Sequence, residues 1–128
     1  MKAYVWRHRE IVKLEVEDEN EYEELEDCVP IVLVDDEWNE VMPGREGGTL
    51  AQQIVRMRES LMLATAPRPE PVTTEITTPS GNVLRSTILP PDPYAQYRGD
   101  AISLNRMYEA LRTLRDGIAV QREMVVRS

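Results

Sequence analysis

The sequence has 128 residues and a formal charge of −8, from 15 Lys and Arg against 23 Asp and Glu. A chain of this length forms one small domain or two very small ones, and its 41% hydrophobic residues can supply a core. One Cys excludes an intrachain disulfide scaffold, and one His excludes a zinc site that needs two imidazoles. No apolar run approaches the ~20 residues of a membrane span. The pI of about 4.7 argues against a surface that binds nucleic acid throughout.

The first predicted elements are two short strands, at residues 2–7 and 10–16. Apolar and polar side chains alternate in both, and Val12, Leu14 and Val16 share one face of the second strand. The connection between the strands contains no Gly or Asn, so the hairpin is predicted from the alternation alone.

The next feature is an acidic segment, residues 15–40, which holds thirteen Asp and Glu and no Lys or Arg. Like charges at this density repel one another unless a partner relieves them. Three interpretations stay open: a solvated face that keeps the protein soluble, a contact surface between subunits, and a mimic of nucleic acid whose carboxylates imitate phosphates. The predicted partner-binding residues are Glu19, Glu21, Glu23, Glu24, Glu26, Asp27, Asp35, Asp36 and Glu37.

Within the acidic segment, a short helix is predicted at 21–28. Asn20 and Glu23 have the spacing of an N-cap and its reaching-back acid, and Pro30 ends the helix. The acidic residues near its C-terminus oppose the helix dipole, so the helix needs a positive or apolar contact to hold it.

The middle of the chain is predicted to form a buried strand and an amphipathic helix. Four consecutive apolar residues mark the strand at 31–34, and 37–42 is typical of a further strand or hairpin arm. A Gly-rich loop occupies 43–48. The helix at 50–64 has one apolar stripe and a capping box that begins at Thr49.

Two Pro-rich connectors flank a predicted β-hairpin. The connectors lie at 67–71 and 90–93, and the strands at 72–78 and 83–89 are rich in β-branched residues. Residues 79–82 supply the turn chemistry. Because both faces of the hairpin are only modestly apolar, an exposed or edge position is predicted.

A long C-terminal helix is predicted to start after Asp100 as N-cap and to reach about Val126. Its apolar residues have heptad-like spacing, which suits either an interface with another helix or ordinary packing of an amphipathic helix. The predicted interface residues are Leu104, Met107, Leu111, Leu114, Ile118 and Val125.

These elements predict an α+β protein: N-terminal strands, a central amphipathic helix, a β-hairpin and a long C-terminal helix. The chain divides into an acidic α+β unit at 1–66, a connector with the hairpin at 67–97, and the C-terminal helix at 98–128.

No group of residues has the spacing of a catalytic or metal site. The adjacent carboxylates of 35–37 are typical of a turn, since cation-binding loops alternate their ligands around a Gly. His8 has no partner at a recognisable spacing, and Cys28 suits a small packing role. The loop 44–49 lacks the Lys of a phosphate-binding loop. We expect no catalysis, no metal and no cofactor.

The expected function is therefore a non-enzymatic structural or interaction role. The leading hypothesis is a small acidic subunit that docks into a larger assembly, with a viral or phage particle as one setting. The alternative is an acidic mimic of nucleic acid that occupies the basic groove of a DNA- or RNA-binding protein. The expected partners are proteins with a basic surface or copies of this chain, with no membrane and no direct nucleic acid.

The charge is unevenly distributed along the chain. Residues 1–64 carry 7 basic and 16 acidic side chains, whereas residues 65–128 carry 8 and 7. Head-to-tail contact between copies is one arrangement that this polarity allows. The N-terminus shows no secretory signal, so a cytoplasmic or virion-associated location is expected.

Overall fold

The computed structural model describes residues 1–127 and shows a mixed α+β protein, as the sequence predicts. A 3₁₀ turn at Ala95–Tyr97 precedes the last helix. The strands and helices are β1 (Lys2–Arg7), β2 (Glu10–Glu15), α1 (Glu19–Glu23), β3 (Val29–Val34), β4 (Glu40–Met42), α2 (Leu50–Ala64), β5 (Val72–Thr77), β6 (Val83–Ile88) and α3 (Ala101–Arg127).

The main sheet has four antiparallel strands in the order β2-β1-β3-β4. The predicted β1–β2 hairpin is confirmed, and its loop has only two residues, His8 and Arg9. Both have positive φ, 53° and 63°, which gives the loop the left-handed conformations of a type I′ turn. The two-residue turn between β1 and β2 therefore forms without the Gly or Asn that such turns usually contain.

Helices α2 and α3 cover one face of the sheet. Val32 and Val34 of β3 pack there against Leu50 and Ile54 of α2 and against Leu111 of α3. These residues are buried because every second side chain of β3 points to this face. Ala3, Val16, Leu33 and Tyr22 form a second, smaller cluster.

Pro30 lies inside β3, not after a helix as the sequence suggested. The pairing of β1 with β3 shifts between Tyr4 and Val5, and Pro30 stands opposite Val5 at this irregularity. A proline has no N–H to donate to a strand ladder, so a bulge is one of the few places where a sheet tolerates it. The carbonyl of Pro30 accepts a hydrogen bond from the Arg45 amide at 3.4 Å.

The acidic helix is shorter and begins earlier than the predicted 21–28. Asp18, and not Asn20, is the N-cap, and its Oδ1 accepts from the Glu21 amide at 2.9 Å. The helix ends at Glu23, and Asp27 has a φ of 60° that turns the chain toward β3. Acidic side chains at the C-terminal end of a helix interact unfavourably with the helix dipole. This interaction disfavours extension of α1 beyond its five residues.

Two contacts hold this short helix in place. The Tyr22 side chain is buried, and its hydroxyl donates to the Pro43 carbonyl at 2.9 Å. Arg45 donates from Nη2 to the carbonyls of Glu23 and Leu25, each at 2.8 Å. These contacts, one apolar and one positive, are of the two kinds that the sequence led us to expect.

The predicted helix at 50–64 is confirmed as α2, including its capping box. Thr49 Oγ1 accepts from the Gln52 amide at 3.2 Å, and Gln52 Oε1 accepts from the Thr49 amide at 3.0 Å. Strand β4 covers only Glu40–Met42, because residues 35–39 form the turn after β3.

Helix α3 runs antiparallel to α2 and is fastened to the β3–β4 turn. Leu50 lies near Ile118, whereas Met57 lies near Met107. Arg122 donates from Nε and Nη2 to the carbonyl of Trp38, at 3.1 and 3.0 Å. Trp38 has a φ of 65°, so this clamp holds a backbone conformation that a bulky residue rarely adopts.

Candidate interaction surfaces

The acidic side chains of residues 15–40 are exposed, but they do not form one continuous surface in the chain, because the buried strand β3 lies between Asp27 and Asp35. Eight of the nine predicted partner-binding residues are exposed, and Asp35 is half-buried. Within residues 1–127, no carboxylate of the acidic segment pairs with a Lys or Arg, although five ion pairs form elsewhere. The mutual repulsion of this segment is therefore left for water, salt or a partner to relieve.

Four acidic residues of this segment accept hydrogen bonds from backbone amides: Asp18, Glu21, Asp35 and Glu40. Asp35 Oδ1 accepts from the amides of Glu37 and Asn39, at 3.0 and 2.8 Å, which builds the β3–β4 turn. Glu21 Oε2 accepts from the Glu17 amide at 2.7 Å. Across residues 1–127, no three His, Cys, Asp or Glu side chains are grouped so as to hold a metal ion.

The Gly-rich loop before α2 is closed by its own hydrogen bonds. The Gly44 amide donates to the Gly48 carbonyl at 2.9 Å, and Gly48 needs its φ of 75°. Glu40 Oε1 accepts from the Leu50 amide at 2.8 Å and so caps the helix beside the Thr49 capping box. The first-turn amides of Leu50 and Gln52 thus find acceptors within the chain.

The second sheet, β5–β6, is amphipathic because of its register. Val72 pairs with Ile88 and Ile76 pairs with Leu84, so four aliphatic side chains lie on one face. We call these four residues the hairpin apolar face.

The opposite face of the hairpin is mostly polar. Glu75 pairs with Arg85 at 2.8 Å, and the hydroxyls of Thr73 and Thr87 lie 3.3 Å apart. The third cross-strand pair of this face joins Thr77 to the exposed Val83.

The hairpin apolar face is open to solvent. Its four side chains are between 54% and 61% exposed, and all twelve residues of the two strands are exposed. The sequence did not reveal this face, since the alternation of each strand is weak on its own. Only the cross-strand register, set by the turn at 78–82, brings the four aliphatic residues to one side.

The base of the hairpin is fixed by Arg98. Its side chain is only 10% exposed and forms an ion pair with Asp92. It also donates to the carbonyls of Ala64, Ala66 and Pro67, at the C-terminal end of α2 and just beyond. One guanidinium thus joins both connectors, and the hydrogen bond from Arg98 lowers the pKa of the Asp92 carboxyl.

Most of the predicted interface of α3 faces the interior of this chain. Leu111 and Ile118 are buried, and Met107 and Leu114 pack against the same core. The remaining two are half-buried Leu104, near Trp6, and Val125, which is 39% exposed.

The outward side of α3 carries a different pair of apolar residues. Beyond Ile118 all residues from 119 to 127 are exposed, with Val120 at 56% and Met124 at 59%. These two are four residues apart and so lie on one helix face. We call Val120 and Met124 the α3 tail stripe.

The candidate reactive side chains have ordinary surroundings. His8 is exposed in the β1–β2 turn, and Cys28 is half-buried just before β3. An open cavity of about 220 Å³ lies between the start of β3, α2 and α3. Two other open concavities are larger, about 450 Å³ beside Val55 and Arg56 of α2 and about 390 Å³ beside Tyr22, Pro43 and Arg45.

Comparison with known proteins gives no family for this chain. No protein-family model matches it, and neither the curated proteins nor the solved structures provide a match. None of the helices in residues 1–127 is long and apolar enough to cross a membrane.

Proposed function

We propose that this protein is a non-enzymatic interaction subunit that docks into a larger assembly through the β5–β6 hairpin. The observation that supports this most is the hairpin apolar face, four aliphatic side chains on one side of an exposed two-stranded sheet. A viral or phage particle is one setting for such a subunit, with a cytoplasmic or virion-associated location.

The physical argument is that this hairpin is incomplete by itself. An isolated two-stranded sheet is marginally stable in water and needs a further strand, a helix or another apolar surface. Exposed apolar patches on monomers often mark interaction sites. On this face two aliphatic pairs flank the polar pair of Thr74 and Ser86. Arg98 holds the two connectors of the hairpin together at the C-terminal end of α2.

A second candidate function rests on the acidic segment. Its carboxylates have no cationic partner within residues 1–127, as a protein that imitates the phosphates of nucleic acid would require. Such a mimic would bind the basic groove of a DNA- or RNA-binding protein, and salt would weaken the complex steeply.

Affinity capture from the native source distinguishes the two functions. It uses the unchanged chain, a hairpin variant, an acid variant and one control variant. Ile76→Thr with Leu84→Thr makes the hairpin apolar face polar while keeping strand-forming residues. Glu19→Gln, Glu23→Gln, Glu24→Gln and Glu26→Gln neutralise exposed acids that have no side-chain hydrogen bond within residues 1–127.

If the proposed function is correct, the hairpin variant no longer captures the partner, whereas the acid variant captures it at both low and high salt. Glu75→Gln with Arg85→Gln, on the polar face of the same hairpin, is the matched control and keeps the partner. Loss with the acid variant alone, together with release by salt, contradicts the hairpin role and supports the mimic.

A further inference from the structure

The main sheet leaves the outer edge of β2 without a partner strand, because β2 pairs only with β1. The Val16 amide donates to the Met1 carbonyl at 2.9 Å, and the Met1 amino group donates back to the Val16 carbonyl at 2.8 Å. Bonded and non-bonded pairs alternate along an antiparallel ladder. The even-numbered residues of β2 therefore bond inward to β1, whereas the amides and carbonyls of Ile11, Lys13 and Glu15 point outward.

These outward backbone groups are free. Within residues 1–127, the amides and carbonyls of Ile11, Lys13 and Glu15 form no hydrogen bond with another backbone group. The chain after β2 leads away from this edge, because Tyr22 of α1 donates to the Pro43 carbonyl, just beyond β4 on the other side of the sheet. An open strand edge is a template for a further strand, which main-chain hydrogen bonds would hold.

The exposed side chains of this edge are complementary to themselves. Lys13 and Glu15 lie on the same face of the sheet because they are two residues apart. Both are exposed, and neither forms an ion pair within the described part of the chain. When two such edges run antiparallel about a two-fold axis at Leu14, Lys13 of each copy stands opposite Glu15 of the other. These two outward pairs can exchange four main-chain hydrogen bonds.

The charges also select this register. A shift of two residues in one direction places Lys13 opposite Lys13 of the other copy, and a shift in the other direction places Glu15 opposite Glu15. Opposite charges on directly opposed residues stabilise neighbouring strands, whereas like charges destabilise them. On the other face of the sheet, the favoured register sets Leu14 opposite Leu14 and Val12 opposite Val16.

The other exposed strands lack this complementarity. Strand β4 has only three residues, and its Glu40 caps α2. In the second sheet, β5 and β6 each carry one charged residue, and these two, Glu75 and Arg85, already pair with each other. Among the strands of residues 1–127, only β2 combines a free edge with unpaired charges of both signs.

We propose that β2 is a dimerisation edge, at which two copies of this chain join their main sheets into one antiparallel sheet of eight strands. The occupant is a second copy because the same two residues supply both halves of each charge pair in the register that the hydrogen bonds allow. The contact does not involve the hairpin apolar face, so the dimer presents two hairpins to the partner of the proposed function.

The test is charge reversal followed by sedimentation velocity, at an ionic strength that screens the net repulsion between two acidic copies more than it screens adjacent side chains. Lys13→Glu and Glu15→Lys each set like charges opposite each other in a pair of identical copies. In a mixed pair, with one copy of each variant, opposite charges face each other again. Arg58→Glu and Glu24→Lys are the matched controls, since they make the same changes of charge at exposed positions outside β2.

The expected result is that the unchanged chain and both controls rise from 14.7 kDa toward twice that mass as concentration rises. Each β2 variant alone stays at 14.7 kDa, whereas the equimolar mixture pairs. Hydrogen exchange gives a readout that needs no variant, because pairing should slow exchange at the amides of Lys13 and Glu15 in the unchanged chain.

A monomeric unchanged chain, a β2 variant that associates alone as strongly as the unchanged chain, or a mixture that stays monomeric overturns the inference. The same holds if the two amides exchange at one rate at low and high concentration. The hairpin variant Ile76→Thr with Leu84→Thr should still dimerise, so failure of the β2 contact and failure of the proposed function are distinguished.

Discussion

Two residues in the first hairpin hold a conformation that their side chains disfavour. His8 and Arg9 have φ of 53° and 63°, where the Cβ of an L-residue crowds the following carbonyl. The turn forms nonetheless, because β1 and β2 pair along their whole length on either side of it. The sheet therefore sustains local strain at this loop.

We predict that Arg9→Gly stabilises the protein by about 1 kcal/mol, since glycine accepts a positive φ without that crowding. The free energy of unfolding by urea measures the change. Arg58→Gly is the matched control, because Arg58 is exposed within α2 and the same replacement there should cost about 1 kcal/mol. Equal losses at both positions would show that the left-handed turn carries no strain.

Tyr22 gives a pH-dependent prediction. Burial raises the pKa of its hydroxyl to about 12, from an ordinary value of 10.0. Because the folded protein disfavours the phenolate, the stability from Tyr22 is complete below pH 10 and is lost as the pH rises toward 12.

Urea unfolding across this alkaline range should therefore show a steeper loss of stability in the unchanged chain than in Tyr22→Phe. The variant loses the hydrogen bond to the Pro43 carbonyl at every pH, but it has no phenol to ionise. Parallel pH profiles for the two proteins would mean that Tyr22 is not buried as described.

At the scale of elements, the placement of the β5–β6 hairpin depends on one side chain. Arg98 reaches Asp92 and three carbonyls near the end of α2, with little exposure to solvent. A planar guanidinium can serve several acceptors at once, which the ammonium of a lysine cannot do from the same position.

We predict that Arg98→Lys frees the connectors on either side of the hairpin and makes them much more susceptible to limited proteolysis. Arg85→Gln, on the exposed polar face of the hairpin, is the control and should leave the cleavage rate unchanged. Because the pKa of Asp92 is lowered, its ion pair with Arg98 is complete above the ordinary value of 3.8, and the anchor weakens as the pH falls below that value and Asp92 becomes protonated. Equal cleavage of Arg98→Lys and the unchanged chain would contradict the anchor.

The elements that the sequence predicted well are those whose signals are local. The capping box of α2 lies within four residues, and the alternation of β1 and β2 spans six residues each. The start of α1 was predicted two residues too late because Asp18 and Asn20 are both residue types that cap a helix N-terminus. The burial of Tyr22 favours the helix that begins after Asp18. Pro30 was misread as a stop because the bulge that accommodates it needs β1 as a neighbour.

The candidate surfaces were predicted only in part. The acidic residues of 15–40 are evident in the sequence, and nearly all of their side chains are exposed in the structure. The hairpin apolar face needs cross-strand register, and the anchor by Arg98 needs contact with carbonyls more than thirty residues away. The spacing of α3 indicated an interface, but spacing alone does not separate the side that meets the core from the side that meets another molecule.

At the scale of the whole molecule, the structure has two kinds of polarity. The acidic segment makes the N-terminal half strongly negative, whereas the C-terminal half is nearly balanced. The antiparallel α2 and α3 also place Arg98, which holds the connectors of the hairpin, at the end of the helix pair opposite the α3 tail stripe.

The measurement that tests this account most directly is affinity capture from the native source, at low and high salt, with the unchanged chain, the variant Ile76→Thr with Leu84→Thr, and the control Glu75→Gln with Arg85→Gln. The account predicts that the unchanged chain and the control retain the same partner at both salt concentrations, because salt screens charges and leaves apolar contacts intact, and that the hairpin variant loses it. Retention of that partner by the hairpin variant, or its release by salt, would contradict the account.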